Sequence, residues 1–243
     1  MTIGIIGSGE MGSCLASKLV KLQHTVAIAN SRSPASLQQL AEETGAVPVT
    51  VEDAVREKDV VIVSIPEKNI PALPANLFRD LPQDVVVIDT GNYYPTLRDG
   101  VIPFLEQHGV DSLWVQQQLG IPVIKVFNSI LATSLRDLGK PRGEKDRVAI
   151  AVSGDSIKAK EIVFKLVDEL GFDPFDMGPV AGSWKQQPGS PVYCRDINFA
   201  EMRKRVDAID PDWSVMHEVL IAKRKADEAL MAADYPTYLE GLH

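Results

Sequence analysis

Cysteine and histidine are scarce in this chain. Two cysteines, Cys14 and Cys194, and four histidines, His24, His108, His217 and His243, stand among 243 residues. Their spacing forms no zinc-ligand pattern, and no metal site is expected. Two isolated cysteines read as reduced thiols rather than a disulfide framework. Long apolar runs are also missing. The strongest, Val60–Pro66, falls short of the roughly 18 residues that suggest a membrane span. Met1-Thr2-Ile3-Gly4 enters a strand pattern directly, without a positive leader or a cleavage signal. The expectation is a cytoplasmic protein with no membrane partner. Basic charge is in deficit, with 25 Lys and Arg against 33 Asp and Glu and a net charge of −8. Acidic residues outnumber basic ones on both sides of Gly139, so neither half suits a nucleic-acid backbone. No Ser/His/Asp pattern points to hydrolase chemistry.

What is present suffices for a folded core: 45% of residues are hydrophobic and 24% charged. Thr2–Ile6 reads as a buried strand. Ser13–Leu22 then places Leu15, Leu19 and Leu22 at helical spacing. Thr25–Ala29 is a second strand. Ser33-Pro34 opens a helix that runs to Thr44 and stops at Gly45. Thr50 and Asp53 start a short helix. Asp59–Ile65 and Asp84–Thr90 are strands, joined by a proline-containing helical connector at Ile70, Leu73, Leu77 and Leu81. Pro122–Phe127 is a strand and Ser129–Leu138 a helix. Such alternation implies a parallel sheet covered on both faces.

The polar segment Gly139–Lys145 is the expected boundary. Beyond it, Arg147–Ser153 is a strand, Asp155–Leu170 an amphipathic helix ended by Gly171, and Phe172–Met177 a further strand. Gly178–Asp196 is loop-like, and residues 197–233 are helical with a break at Asp210-Pro211. The expected fold class is α/β: a Rossmann-type doubly wound parallel sheet over residues 1–139. A smaller C-terminal α+β lobe, residues 140–243, adds a substrate-covering loop and a helical tail.

Gly7-Ser8-Gly9-Glu10-Met11-Gly12 stands between the first strand and the first helix. A GxGxxG string is informative in that context. Gly7 permits the tight turn, Gly9 lets the backbone approach a pyrophosphate, and Gly12 lets helix and strand pack closely. The helix N-terminus adds free N–H groups and a positive dipole end. The second strand ends in Asn30-Ser31-Arg32-Ser33, and no acid occurs from Thr25 through Ala41. A carboxylate there would hold the ribose hydroxyl of NAD. Arg32 instead suits the 2′-phosphate of NADP(H), with Asn30, Ser31 and Ser33 as further donors.

With these motifs the chain resembles the NADP oxidoreductase family of coenzyme F420-dependent reductases. The same fold forms the nucleotide-binding domain of the STEAP metalloreductases. The resemblance runs through Gly7–Gly12, Ser31-Arg32, Ser64-Ile65-Pro66, Lys125–Ser129 and Asp176-Met177-Gly178-Pro179, and covers about residues 1–180. It implies that Ser31 and Arg32 bind the 2′-phosphate and that Ile65 and Pro66 lie over the cofactor. It places Phe127–Ala132, with Asn128 and Ala132, near the nicotinamide. It also implies hydride exchange with a flavin or deazaflavin. Deazaflavin reductases of this type tend to have His where this chain has Asn128, and the Phe-Asn pair is closer to the STEAP-like version.

In open parallel sheets the ligand lies beyond the carboxyl ends of the strands. There Asn92 and Tyr93, in Asp89–Pro95, read as hydride-site residues beside Asn128. The alternative is an ordinary turn, with Asn128 as a helix cap. The loop Gly182–Arg195 reads as a substrate cover, with Lys185 or Arg195 meeting an acidic group, or else as a structural wrap. Lys125 is a candidate acid, though inside a strand a structural role is expected. Transfer to a flavin-like ring needs little acid–base help. Reduction of a small carbonyl or imine would need a proton donor, and none is evident. A non-catalytic NADP sensor is a third reading. In the last helix, Val215, Val219, Ala222, Ala226 and Leu230 share one side, as core or as a homodimer contact.

Overall fold

The computed structural model describes residues 1–242, and His243 lies outside the described residues. Eight strands form one sheet in the order β3-β2-β1-β4-β5-β6-β7-β8. They are β1 (Thr2–Ile6), β2 (Thr25–Ala29), β3 (Val47–Pro48), β4 (Val60–Val63), β5 (Val86–Asp89), β6 (Ile124–Lys125), β7 (Ala149–Ser153) and β8 (Asp173–Gly178). All neighbours pair in parallel except β6 and β7, which meet antiparallel at Lys125 and Ser153.

The helices are α1 (Glu10–Lys21), α2 (Gln38–Thr44), α3 (Pro103–His108), α4 (Asp111–Leu119), α5 (Ala132–Asp137), α6 (Ile157–Glu169), α7 (Phe199–Asp207), α8 (Trp213–Ala233) and α9 (Tyr235–Glu240). The two-residue period of the strands sorts their side chains onto two faces. Ile3, Ile5, Val60 and Ile62 pack with Leu15 and Leu19 of α1 and Val163 and Leu166 of α6. Val61, Val63 and Val87 pack on the other side with Leu105, Trp114 and Val115 of α3 and α4.

Several expectations shift. Pro34–Leu37 is a 3-10 turn leading into α2, and Gly45 closes it at φ 80°. Thr50 accepts the Asp53 N–H at 3.2 Å, but a turn follows it, not a helix. The Ile70–Leu81 connector is a 3-10 turn at Glu67–Ala72 followed by further turns, because its prolines remove backbone donors. The helix expected at Ser129 begins at Ala132. The polar loop at Gly139–Lys145 joins α5 to β7, and one core cluster runs across it, from Ile3 and Leu135 to Val148 and Leu166.

On α8 the apolar side faces outward. Val215 and Val219 are 52% and 55% exposed, and Leu230 lies on the same exposed stripe. The inner side carries Leu220, Arg224 and Glu228. No helix among the described residues is long and apolar enough to cross a membrane.

Candidate active site

Strand order reverses between β1 and β4: the chain leaves β1 outward to β2 and β3, then returns to β4 on the other side. A cleft opens there, beyond the carboxyl ends of these strands, as open α/β sheets require. Gly7 follows β1 and Ser64 follows β4, and the two touch. A Cβ on Gly7 would come within 2.0 Å of the Ser64 carbonyl, and its φ of +122° already favours glycine. A Cβ on Gly12 would strike the Gly7 carbonyl at 2.1 Å. Gly9 differs: its Cβ would meet nothing within 4 Å, because it faces the open cleft. That free space at the start of α1 fits a pyrophosphate. The Ser8 carbonyl is held by Ser13 Oγ at 3.1 Å, which fixes the turn.

The cleft has two chambers. The outer, about 720 Å³, is lined by Gly7, Ser8, Gly9, Asn30, Ser31 and Arg32, with Ser64, Ile65 and Pro66. Asn30 Oδ1 accepts the Arg32 N–H at 2.8 Å and Asn30 Nδ2 donates to Ser36 Oγ at 3.1 Å. Asn30 therefore shapes the turn that presents Arg32. The Arg32 side chain is exposed and, among the described residues, has no hydrogen-bond or ion-pair partner. One carboxylate, Glu52, also lines this chamber.

The inner chamber, about 310 Å³, shares Gly9, Ser64, Ile65 and Pro66 with the outer one. Glu10, Met11, Asn92, Asn128 and Ala132 line it as well, so the expected nicotinamide-side residues do come together. Glu10 stands in the first turn of α1 without a capping bond and borders this chamber.

Tyr93 does not border the chamber. It is 1% exposed, and its hydroxyl accepts the Ile102 N–H at 2.9 Å. Asn128 is present but engaged. Its Oδ1 accepts from Gln186 Nε2 at 2.8 Å, and its Nδ2 donates to the Gln186 carbonyl at 2.8 Å and to Asn92 Oδ1 at 3.1 Å. Asn92 Nδ2 returns a bond to the Asn128 carbonyl at 2.8 Å. These two amides brace the wall instead of presenting free donors. Neither serves as a helix cap.

The loop Gly182–Arg195 is a fixed wall. Gln186 also accepts from Ser153 Oγ at 2.6 Å, and Gln187 binds the Asp111 N–H and the Gly109 carbonyl at 2.9 and 2.8 Å. Trp184 packs on Trp213, with ring centroids 5.0 Å apart. Lys185 lies over the Trp184 ring and Arg195 binds the Gly241 carbonyl, so neither reaches the inner chamber. Tyr193 and Cys194 line it instead. Burial pushes the Cys194 thiol up to about 12, so it stays protonated at neutral pH. The Tyr193 and Tyr94 hydroxyls are hydrogen-bonded to each other, and burial pushes both well above the usual phenol value. Phe127, at the same wall, holds a φ of 63°, a strained conformation for a bulky residue.

Arg98 is the chamber's one cation among the described residues. Its Nη2 binds Glu67 Oε2 at 2.7 Å, Asp99 Oδ2 at 2.9 Å and the Asn92 carbonyl, and its Nε binds Asp99 Oδ1 at 3.1 Å. Glu67 is fully buried, and burial raises its pKa well above the carboxylate range. Lys125 is likewise buried, between Asp89 at 3.5 Å and the Gly91 carbonyl at 3.0 Å, and is structural as expected. Sequence reasoning missed Arg98 and Glu67 because no motif marks them.

Residues 2–93 match the family described as NADP oxidoreductase, coenzyme F420-dependent. Metalloreductase STEAP3 of Rattus norvegicus is 28% identical over 183 residues, covering 74% of this chain and 34% of that protein. A hypothetical protein of Sinorhizobium meliloti superposes with a TM-score of 0.67 at 29% identity, over 82% of this chain and 96% of its own. An Arthrobacter sp. FB24 protein, provisionally described as an F420-dependent NADP reductase, superposes with a TM-score of 0.63 at 24% identity, over 76% and 87%. The chain spans less than half the length of the curated relatives it matches.

Proposed function

We propose that this chain, whose residues 2–93 match the family described as NADP oxidoreductase, coenzyme F420-dependent, is an NADPH-dependent oxidoreductase. The observation that carries this is the outer chamber. The open Gly9 turn at the start of α1 and the unpaired Arg32 guanidinium face one cavity. The turn would hold the pyrophosphate and Arg32 the 2′-phosphate. NADPH supplies a hydride at its nicotinamide, for which the inner chamber has room. Met11, Ile65 and Phe127 would exclude water from it, and Asn128 braces its wall through Gln186. Residues 1–139 thus form the cofactor-binding part, and residues 140–243 close the acceptor side.

A flavin or deazaflavin acceptor is supported by the family match. A small carbonyl or imine acceptor is favoured by one observation on this chain. The inner chamber is about 310 Å³ and must also take the nicotinamide. Tyr193 and Cys194 wall it, backed by Tyr238 and Leu242 from the C-terminal segment. That leaves space for a short molecule. The exposed stripe on α8 is where a homodimer would form, which sedimentation of the full chain tests.

Mixing the full chain with NADPH or NADH and a panel of acceptors tests the reading. Oxidation of NADPH well ahead of NADH is expected. Tight NADPH binding with no turnover on any acceptor would favour a sensor instead.

A further inference from the structure

The acceptor side of the inner chamber carries a specific set of groups. Arg98 projects from the turn Pro95–Asp99, and its guanidinium lies 5.4 Å over the Tyr94 ring. Two acid side chains, Asp99 and Glu67, and one carbonyl occupy Nε and Nη2, while Nη1 has no protein partner among the described residues. The guanidinium is thus fixed in orientation with one end free. The Tyr94 hydroxyl is bonded to the Tyr193 hydroxyl, so Arg98 and Tyr193 are linked through one ring. The turn itself is held from behind. Glu228 of α8, fully buried, accepts the N–H groups of Thr96 at 2.7 Å and Leu97 at 3.1 Å. Such anchoring pre-organises a cation that a mobile surface arginine would lack. Among the described residues Glu10 is the one acidic side chain lining the chamber, and it stands on the α1 wall.

We propose that this site reduces a short oxo acid, with the carboxylate seated on Arg98 Nη1 and the carbonyl oxygen protonated by Tyr193. The inference rests on the reading of the cleft as an NADPH hydride site with a small acceptor. The free Nη1 can donate a charge-assisted hydrogen bond to one carboxylate oxygen, and the small chamber suits a short anion. The balance is simple. The carbonyl carbon gains a hydride and the carbonyl oxygen gains the Tyr193 proton, giving a hydroxy acid. Both electrons come from the dihydronicotinamide, which is oxidised to NADP⁺. Tyr193 then recovers a proton from solvent. Neither hydroxyl ionises at neutral pH, so each holds its proton until an alkoxide-like oxygen forms beside it.

The test compares pyruvate and glyoxylate with the neutral methyl pyruvate and with FMN, using the full chain and saturating NADPH. Acids should exceed the ester at least tenfold in kcat/KM. Arg98→Lys should raise KM for the acids about tenfold while leaving KM for the ester and for NADPH nearly unchanged. Tyr193→Phe should lower kcat with little change in KM. Calorimetry gives a readout without turnover: oxalate should bind the NADP⁺ complex of the natural chain and not of Arg98→Lys. If the variants fail to fold, the acid–ester comparison and oxalate binding on the natural chain still decide. Equal rates for acid and ester, or preferential reduction of FMN, would overturn the proposal while leaving the NADPH reading intact. Failure to bind NADPH would remove both.

Discussion

Asn128 and Gln186 hold each other through two hydrogen bonds of 2.8 Å, one between side chains and one from the Asn128 amide to the Gln186 carbonyl. They stand 58 residues apart and are both buried. This contact ties the end of β6, where the nicotinamide would lie, to the C-terminal loop. Gln186→Leu would strip Asn128 Oδ1 of its donor and Ser153 Oγ of its acceptor, while the bond from Asn128 Nδ2 to the main-chain carbonyl stays. The expected cost is about 1–3 kcal/mol, the usual penalty for a stranded buried polar group. Urea unfolding measures it. A variant as stable as the natural chain would mean the pair is dispensable.

Gly9 and Gly12 separate cofactor binding from folding. Gly9→Ala adds a methyl that meets nothing within 4 Å, so the melting temperature should hold. The same methyl points into the pyrophosphate space, so NADPH affinity should fall at least tenfold. Gly12→Ala places its methyl 2.1 Å from the Gly7 carbonyl and should destabilise the fold itself. Thermal melts with and without NADPH distinguish the two.

Glu67 makes stability depend on pH in an unusual direction. Burial raises its folded pKa well above the ordinary 4.5, so folding takes up a proton between those two values. The associated stability is complete below 4.5 and is lost as pH rises through the folded value. Asp111, also raised by burial, acts in the same sense. Glu67→Gln keeps a neutral oxygen toward Arg98 and removes this titration. The variant should therefore lose less stability than the natural chain between pH 5 and 8. Parallel curves for the two proteins would rule out a buried titrating Glu67.

Local signals in the sequence carried much of the fold. β1 and β2 stand where apolar runs end in Gly7 and Asn30, and α2 ends at the left-handed Gly45. Helices α3 and α4 escaped notice because buried polar groups interrupt their periodicity. Asp111 accepts the Tyr93 N–H at 3.2 Å, and Ser112 donates to Asp89 at 2.6 Å. The same contacts send the adjacent tyrosines to different partners, Tyr93 to the Ile102 N–H and Tyr94 to the Tyr193 hydroxyl. Asp111 binds the N–H of Tyr93 and Asp99 that of Tyr94, at 2.9 Å, turning adjacent rings apart. No spacing rule contains that choice. Arg98 and Tyr193 meet only through tertiary packing, so the outer chamber was legible from motifs and the acceptor side was not.

The central claim is that the outer chamber selects NADP(H) through Arg32. Calorimetric titration of the natural chain and of Arg32→Ala with NADPH and NADH tests it most directly. A charge-assisted contact of about 1.5–3 kcal/mol predicts that the natural chain binds NADPH roughly tenfold to a hundredfold tighter than NADH. Arg32→Ala should erase that difference by weakening NADPH alone. Equal affinities in the natural chain, or equal losses for both nucleotides in the variant, would contradict the account.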